Sequence, residues 1–204
     1  KGYKLWKATA KSIGCLGTCL GAISLSKVSE SIAWVGKFNI ASTEYDTLNF
    51  ANGQVYNVIS DGSISNLDAK GFVFLRKHIG LSGSYFNNPY TAITITSDYS
   101  RIPNNRTINK AIRGLRTFLL PALASPIQVN SDGTLTDDVV AYFESLCKRA
   151  LDVMQRDAEV SAFSVTIDPS QDILSTSTLE ISVSIVPIGS ADNIEVNVGF
   201  AVSI

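Results

Sequence analysis

Apolar residues in the C-terminal half of this chain follow two different spacings, first that of an α-helix and then that of a β-strand. From about residue 104 apolar side chains recur every three or four positions, and Pro121 ends that run. Such spacing predicts an amphipathic helix, which a proline terminates because it lacks the backbone N–H that a helix needs. The face predicted to be buried consists of Ile108, Ala111, Ile112, Leu115 and Leu119.

A second helix is predicted to begin near residue 137. Thr136 is a suitable N-cap, and Asp137 and Asp138 complement the positive end of the helix dipole. Its predicted buried stripe consists of Val139, Val140, Phe143, Leu146, Cys147, Ala150 and Met154. The two helices are joined by a connection that includes Pro126 and Gly133.

After the second helix the period changes to two, which predicts three β-strands. The alternating apolar positions are Phe163, Val165 and Ile167, then Leu179, Ile181, Val183 and Ile185, then Ile194, Val196, Val198, Phe200, Val202 and Ile204. Each strand has one apolar face, so we expect the two helices to cover one side of the sheet. The fold class predicted is α+β: a mixed β-sheet with helices packed on it, ending in a unit of two helices and three strands.

The last predicted strand, residues 194–204, has no partner nearby in sequence. A strand with an unpaired edge must be covered or paired with another chain. We therefore predict that this segment is an assembly element, whose residues are Ile194, Val196, Val198, Phe200 and Val202.

The N-terminal half is less regular. Residues 4–27 favour a closely packed helix, and residues 42–66 favour a loop with short strands at best, since Asp, Asn, Gly and Ser are frequent there. Residues 71–79 and 91–96 have the pattern of strands. We predict a partial α/β region at 1–100 and a C-terminal assembly domain at 101–204.

Composition narrows the class of protein. The chain is 45% hydrophobic and 17% charged with a net charge of −1, which is typical of a globular protein and argues against a general binder of nucleic acid or membrane surfaces. Three cysteines do not form a disulfide framework, so a reducing compartment is favoured. The single methionine is Met154, so we expect the native start to lie upstream of Lys1.

Catalytic and metal-binding patterns are weak. Cys15 and Cys19 would share a helix face, but a zinc site needs about four ligands and the only histidine, His78, lies in a predicted strand. No nucleophile motif, phosphate-binding glycine loop or spaced carboxylate pair is evident. We predict no enzyme activity, no catalytic residue, no metal and no cofactor.

One charged feature stands out on the first C-terminal helix. Arg106, Lys110, Arg113 and Arg116 form a basic stripe without an intervening acidic residue. Like charges three or four positions apart repel one another slightly, so such a stripe favours an acidic partner surface, although a solvated helix face has about equal weight.

The C-terminal region resembles that of contractile tail sheath proteins, found in phage tails, tailocins and related injection systems. The likeness is carried by the motifs Asn105-Arg106-Thr107-Ile108, Leu119-Leu120-Pro121, Gly133-Thr134-Leu135, Ile185-Val186-Pro187 and Gly189-Ser190-Ala191. Weaker likeness extends upstream, so the resemblance covers most of the chain.

The resemblance implies a structural subunit that polymerises into a helical tube around an inner tube and contracts to drive injection. Its implied partners are neighbouring sheath subunits and the inner tail tube protein, with no nucleic acid and no membrane. The implied location is a virion tail, or the bacterial cytoplasm as an assembled contractile apparatus. In this family terminal extensions donate strands to neighbouring sheets. An adhesion or partner-binding module with an exposed sheet edge is the alternative, and a hydrolase with an unrecognised site is a third.

Overall fold

The computed structural model describes residues 15–40, 48–50 and 52–200 of the chain. The α-helices are α1 (Leu16–Leu25), α2 (Asp61–Ala69), α3 (Ile102–Leu119), α4 (Asp137–Arg156) and α5 (Ile173–Thr176). The strands are β1 (Leu75–Arg76), β2 (Tyr85–Phe86), β3 (Val160–Thr166) and β4 (Ser182–Pro187), and short 3-10 helices occupy Tyr56–Val58 and Leu120–Ala122. Helices with small antiparallel sheets make this an α+β fold, as the sequence predicts.

The N-terminal half packs around a small apolar core. Its buried members are Ala22, Ile32, Leu48, Leu75 and Phe86. Within the described part, the predicted helix over residues 4–27 is helical at α1. The sequence did not predict helix α2, since residues 42–66 favoured a loop. It begins because the Ser60 side chain accepts a hydrogen bond from the Ser63 backbone N–H, a local capping interaction.

Strand content in this half is lower than predicted. Only β1 forms within the predicted strand over 71–79, and it pairs antiparallel with β2. Residues 91–96 form bends and turns instead of a strand. The Thr91 N–H donates to the Ser100 carbonyl at 2.9 Å, which closes a loop rather than a ladder, and Ile93 and Ile95 stay about half exposed.

The long helices α3 and α4 pack against each other in the C-terminal half. Gly114 of α3 lies so close to α4 that a Cβ placed there would meet the Ala150 Cβ at 3.5 Å. The buried positions of α3 are Pro103, Thr107 and Ala111. The predicted face was therefore wrong at Ile112, which is 55% exposed, because the contact with α4 runs through Gly114.

Helix α4 agrees closely with the sequence prediction. It begins at Asp137, directly after Thr136, and buries Phe143, Leu146, Cys147, Ala150, Leu151 and Met154. Five of those six belong to the predicted stripe, and Leu151 is the addition. Thr136 occupies the N-cap position without a side-chain capping bond.

Strands β3 and β4 form an antiparallel pair in which Phe163 lies opposite Ile185. Their apolar side chains pack on Ala111 of α3 and on Leu151 and Met154 of α4. In the described chain this sheet is antiparallel and has two strands, so the predicted third strand does not form over residues 194–200. Residues 188–200 follow β4 without helix or strand, because no strand of the described chain pairs with them.

Candidate assembly surface

The segment predicted to be an assembly strand, residues 194–204, is called the tail below. Its apolar side chains are strongly exposed: Ile194 by 82%, Val196 by 74%, Val198 by 90% and Phe200 completely. Within the described chain, no hydrogen bond connects residues 194–200 to the body. Val202 lies outside the described residues. Residues 194–200 of the tail thus present every second residue as an apolar side chain that nothing in the described chain covers.

The β3–β4 sheet, which precedes the tail in the chain, has open edges. β3 pairs with β4, and neither strand has a second partner among the described residues. The Ser161 carbonyl of β3 accepts a hydrogen bond of 3.3 Å from the Gln155 side chain, but a strand edge without a strand partner can still receive another strand.

An ion pair that the sequence analysis missed holds the chain just before the tail. The Arg101 guanidinium donates to the Asp192 carboxylate and, at 3.4 Å, to the Ser190 hydroxyl. Both charged side chains are about 30% exposed. The hydrogen bond from Arg101 holds the pKa of the Asp192 carboxyl below its usual range. The two residues lie 91 positions apart, so no local signal in the sequence could have connected them.

The basic stripe of α3 is divided by the structure. Arg106 faces inward to the N-terminal half, where its guanidinium donates to the Ser26 hydroxyl at 2.6 Å and to the Ser26 and Lys27 carbonyls at 3.1 Å. These contacts fix α3 to the segment that follows α1.

Lys110 also has a partner within the chain. Its ammonium group lies 2.5 Å from the carboxylate of Glu159, a residue only 7% exposed at the turn between α4 and β3. A buried carboxylate needs such a partner because burial removes its hydration. Lys110 therefore joins α3 to that turn.

The other two basic residues face solvent. Arg113 and Arg116 are exposed, and neither guanidinium forms an ion pair with another residue that the structure describes. Of the four predicted partner-facing residues, these two remain available to a partner.

The candidate metal and catalytic residues are dispersed. Cys15 and Cys19 are half-buried at the start of α1, and burial raises the pKa of both thiols. His78 packs against the Tyr85 ring with 5.4 Å between the ring centroids, and burial lowers the pKa of its imidazole, with the charge of Arg76 adding to the effect. Among the described residues there is no group of three or more His, Cys, Asp or Glu side chains that could hold a metal ion. None of the helices described here has both the length and the hydrophobicity to cross a membrane.

Two solved assemblies contain chains with a similar fold. One is the cryo-EM structure of the anti-feeding prophage baseplate, matched with a TM-score of 0.55 and 17% identity. The other is the cryo-EM structure of the sheath complex of PVC, an extracellular contractile injection system, in its contracted state, matched with a TM-score of 0.57 and 12% identity. Each match covers 76% of this chain and 44% of the other, so this chain spans less than half the length of either.

Sequence comparison places the C-terminal half in a family. No curated protein matches the chain significantly in sequence. The family model described as DUF2586, C-terminal domain, matches residues 98–204, a stretch that holds α3, α4, the β3–β4 sheet and the tail. The chain belongs to the DUF2586 family through this C-terminal domain.

Proposed function

We propose that this protein is a structural subunit of a contractile injection apparatus, of the sheath type, and that its tail docks on a neighbouring subunit. The observation that carries the proposal is the alternating apolar pattern of the tail, exposed and unpaired over residues 194–200, in a chain whose β3–β4 sheet has two strands in its described part. The similar folds within a baseplate and a contracted sheath support it.

The physical basis is strand addition between copies. Fully burying one side chain such as Ile194 or Phe200 contributes about 1.5–3 kcal/mol, and four such side chains are exposed in the tail. Adding the tail to an open sheet edge would bury one face of it and pair its backbone groups. In the isolated chain these side chains stay exposed, whereas a neighbouring copy would bury them and pair the backbone. Links of this kind would keep a helical tube connected while interfaces between subunits repack during contraction.

A pair of matched substitutions tests the tail. In the full-length protein, Val198→Asp puts a charge on the apolar face, whereas Asn197→Asp puts the same charge on the opposite face. We expect Val198→Asp, like deletion of residues 194–204, to abolish tubes in electron micrographs, while Asn197→Asp assembles normally. Stability should not change, because residues 194–200 are exposed and no hydrogen bond joins them to the rest of the described chain.

Three results would count against this proposal. Normal tubes from the deletion variant would exclude the tail from assembly, and unfolding of that variant would assign the tail to the subunit's own core. A full-length wild-type protein that remains a small particle in solution, as measured by light scattering, would instead favour the alternative of a partner-binding module. The open edges of β3 and β4 suit that alternative as well.

We also propose that the subunit is not an enzyme. Neither His78 nor the two cysteines, Cys15 and Cys19, belongs to a group of three or more His, Cys, Asp or Glu side chains among the described residues that could hold a metal ion. Replacing His78 by Asn, or the two cysteines by Ser, should change the thermal unfolding temperature at most. A hydrolase activity of the purified protein that one of these substitutions abolishes would contradict the proposal.

A further inference from the structure

Residues 188–193, called the strap below, connect β4 to the tail and are held at both ends. At the first end Pro187 lies opposite Val160 in the sheet, and its carbonyl accepts a hydrogen bond of 3.0 Å from the Ser161 hydroxyl. At the second end Asp192 is bound by Arg101, and the Ser190 hydroxyl lies 3.1 Å from the same carboxylate. Immediately after this point Ile194 is 82% exposed.

The strap is not packed tightly on the body. A cavity of about 210 Å³ lies beneath it, and its walls include Pro187, Ile188, Gly189 and Ser190 on one side and Ser29 and Pro103 on the other. A Cβ added to Gly189 would meet nothing within 4 Å. Water can enter an open space of this size, so this side of the strap faces solvent rather than the body. Polar contacts to Arg101, rather than packing, therefore hold the outer end of the strap.

Arg101, in contrast, belongs to a fixed part of the molecule. It precedes the first residue of α3, and its backbone forms a β-bridge with Tyr90. The next residue, Ile102, donates its N–H to the Pro89 carbonyl at 2.8 Å. The bridge to Tyr90 and the start of α3 thus fix the backbone of Arg101 relative to the body.

We propose that Arg101 and Asp192 form a latch that fixes the point and direction in which the tail leaves the subunit. Arg101 is in this sense a positioning residue for the docking of the tail on a second copy of the chain, and the inference rests on the proposed function. With the latch closed, the free segment begins after Asp192. With the latch open, it begins after Pro187, five residues earlier, which adds about 16 Å of reach for an extended chain.

A free segment that can be either shorter or longer would let the tail stay docked while the spacing between subunits changes. A partly exposed ion pair is weak enough to open and close without unfolding its surroundings. The latch would stay closed in one arrangement of neighbours and open in the other, and the fixed position of Arg101 would guide the strap back.

Charge exchange in the full-length protein tests the latch. Arg101→Asp and Asp192→Arg each leave two like charges in contact, whereas the double exchange restores an opposite pair. We expect each single variant to raise the critical concentration for tube assembly roughly two- to fivefold, and the double exchange to restore it. Heteronuclear NOE values of residues 188–193 should fall in the single variants and recover in the double. The milder Asp192→Asn gives a smaller change of the same sign if a charge reversal prevents folding.

The exposed pair Arg156 and Asp157 provides a matched control, since its atoms are 3.9 Å apart and its side chains are 76% and 50% exposed. Exchanging that pair should leave both measurements unchanged. Single latch variants that assemble like the wild type, while deletion of residues 194–204 blocks tubes, would overturn the latch and leave the proposed function intact. Reduced assembly that the double exchange does not restore would also overturn it. A wild-type protein that forms no tubes would count against the proposed function itself, whereas the NOE comparison would still decide whether the strap is held by this pair.

Discussion

At the scale of single residues, basic side chains on α3 have different roles because different groups lie opposite them. Arg106 and Lys110 are engaged with Ser26, Lys27 and Glu159, whereas Arg113 and Arg116 face solvent. Their spacing in the sequence is the same three to four positions. Whether a basic residue of α3 stabilises the fold or is available to a partner therefore depends on which surface packs against it.

Lys110→Met should destabilise the fold through Glu159. The substitution keeps an aliphatic side chain but leaves a carboxylate of a residue 7% exposed without its cation. Breaking a fully buried pair costs about 3–5 kcal/mol. Since the Lys110 side chain is 36% exposed, water screens this pair, and we expect a loss of about 1–3 kcal/mol in urea unfolding.

Arg113→Met is the matched control on the same helix, and its effect should stay within about 0.5 kcal/mol. Adding Glu159→Gln to Lys110→Met should recover part of the loss, because a neutral amide replaces the unpaired charge. Equal stability of the Lys110 and Arg113 variants would show that the ion pair contributes nothing.

At the scale of elements, the hypothesis of an acidic partner now concerns the outer face of α3, where Arg113 and Arg116 are exposed. Charge reversal of Lys110 together with Arg113 would also break the contact of Lys110 with Glu159. Arg113 and Arg116 are the better pair because both are exposed.

Replacing Arg113 and Arg116 by Glu should leave the domain folded and weaken assembly. A small stability loss is expected, since Arg116 lies in the last turn of α3 and a negative charge there opposes the helix dipole by about 0.3–1 kcal/mol. Tube yield should fall, and in the wild type it should fall with added salt, which screens charges over roughly 10 Å at 0.1 M.

The control for this reversal is Lys70→Glu with Arg156→Glu, which changes the net charge equally at two exposed positions outside α3. Normal assembly of the α3 variant at low and high salt would mean that the stripe is a solvated helix face.

At the scale of the whole molecule, two packing regions are joined by contacts that include the start of α3 and a hydrogen bond of 3.3 Å from the Ser29 hydroxyl to the Ala158 carbonyl. The N-terminal core centres on Ile32 and Phe86, and the buried clusters of the C-terminal half draw all their members from residues beyond 110. Ile102 and Arg106 at the start of α3 reach back to the N-terminal half.

A fragment of residues 98–204 should therefore fold alone. It retains α3, α4 and the β3–β4 sheet with the apolar clusters between them. It loses the hydrogen bonds of Arg106 to Ser26 and Lys27, which should lower its stability by about 1.5–3 kcal/mol for hydrogen bonds to a charged group.

Circular dichroism and dispersed amide NMR signals would check the fragment. A matched comparison is the fragment carrying Arg106→Ala, which should match the unmodified fragment in stability, although the same substitution destabilises the 204-residue chain. An unfolded fragment would mean that the boundary predicted near residue 100 does not separate independent domains.

The sequence by itself determined the helices α3 and α4 and the positions of β3 and β4. Helical hydrogen bonds join residues four apart, so the stripe from Phe143 to Met154 and the start after Thr136 contain the needed information locally. Alternation along β3 and β4 was interpreted correctly because the two strands pair directly with each other, across a connection over residues 167–181 that contains α5.

Only the tertiary structure decided which alternating segments are strands and which charges are free. A strand needs a partner that its own residues do not encode, so residues 91–96 form turns and the described tail stays unpaired despite regular patterns. Pairs such as Arg101 with Asp192 and Lys110 with Glu159 join positions 91 and 49 apart. Their formation depends on how helices and turns pack, which is a property of the folded molecule and not of any stretch of its sequence.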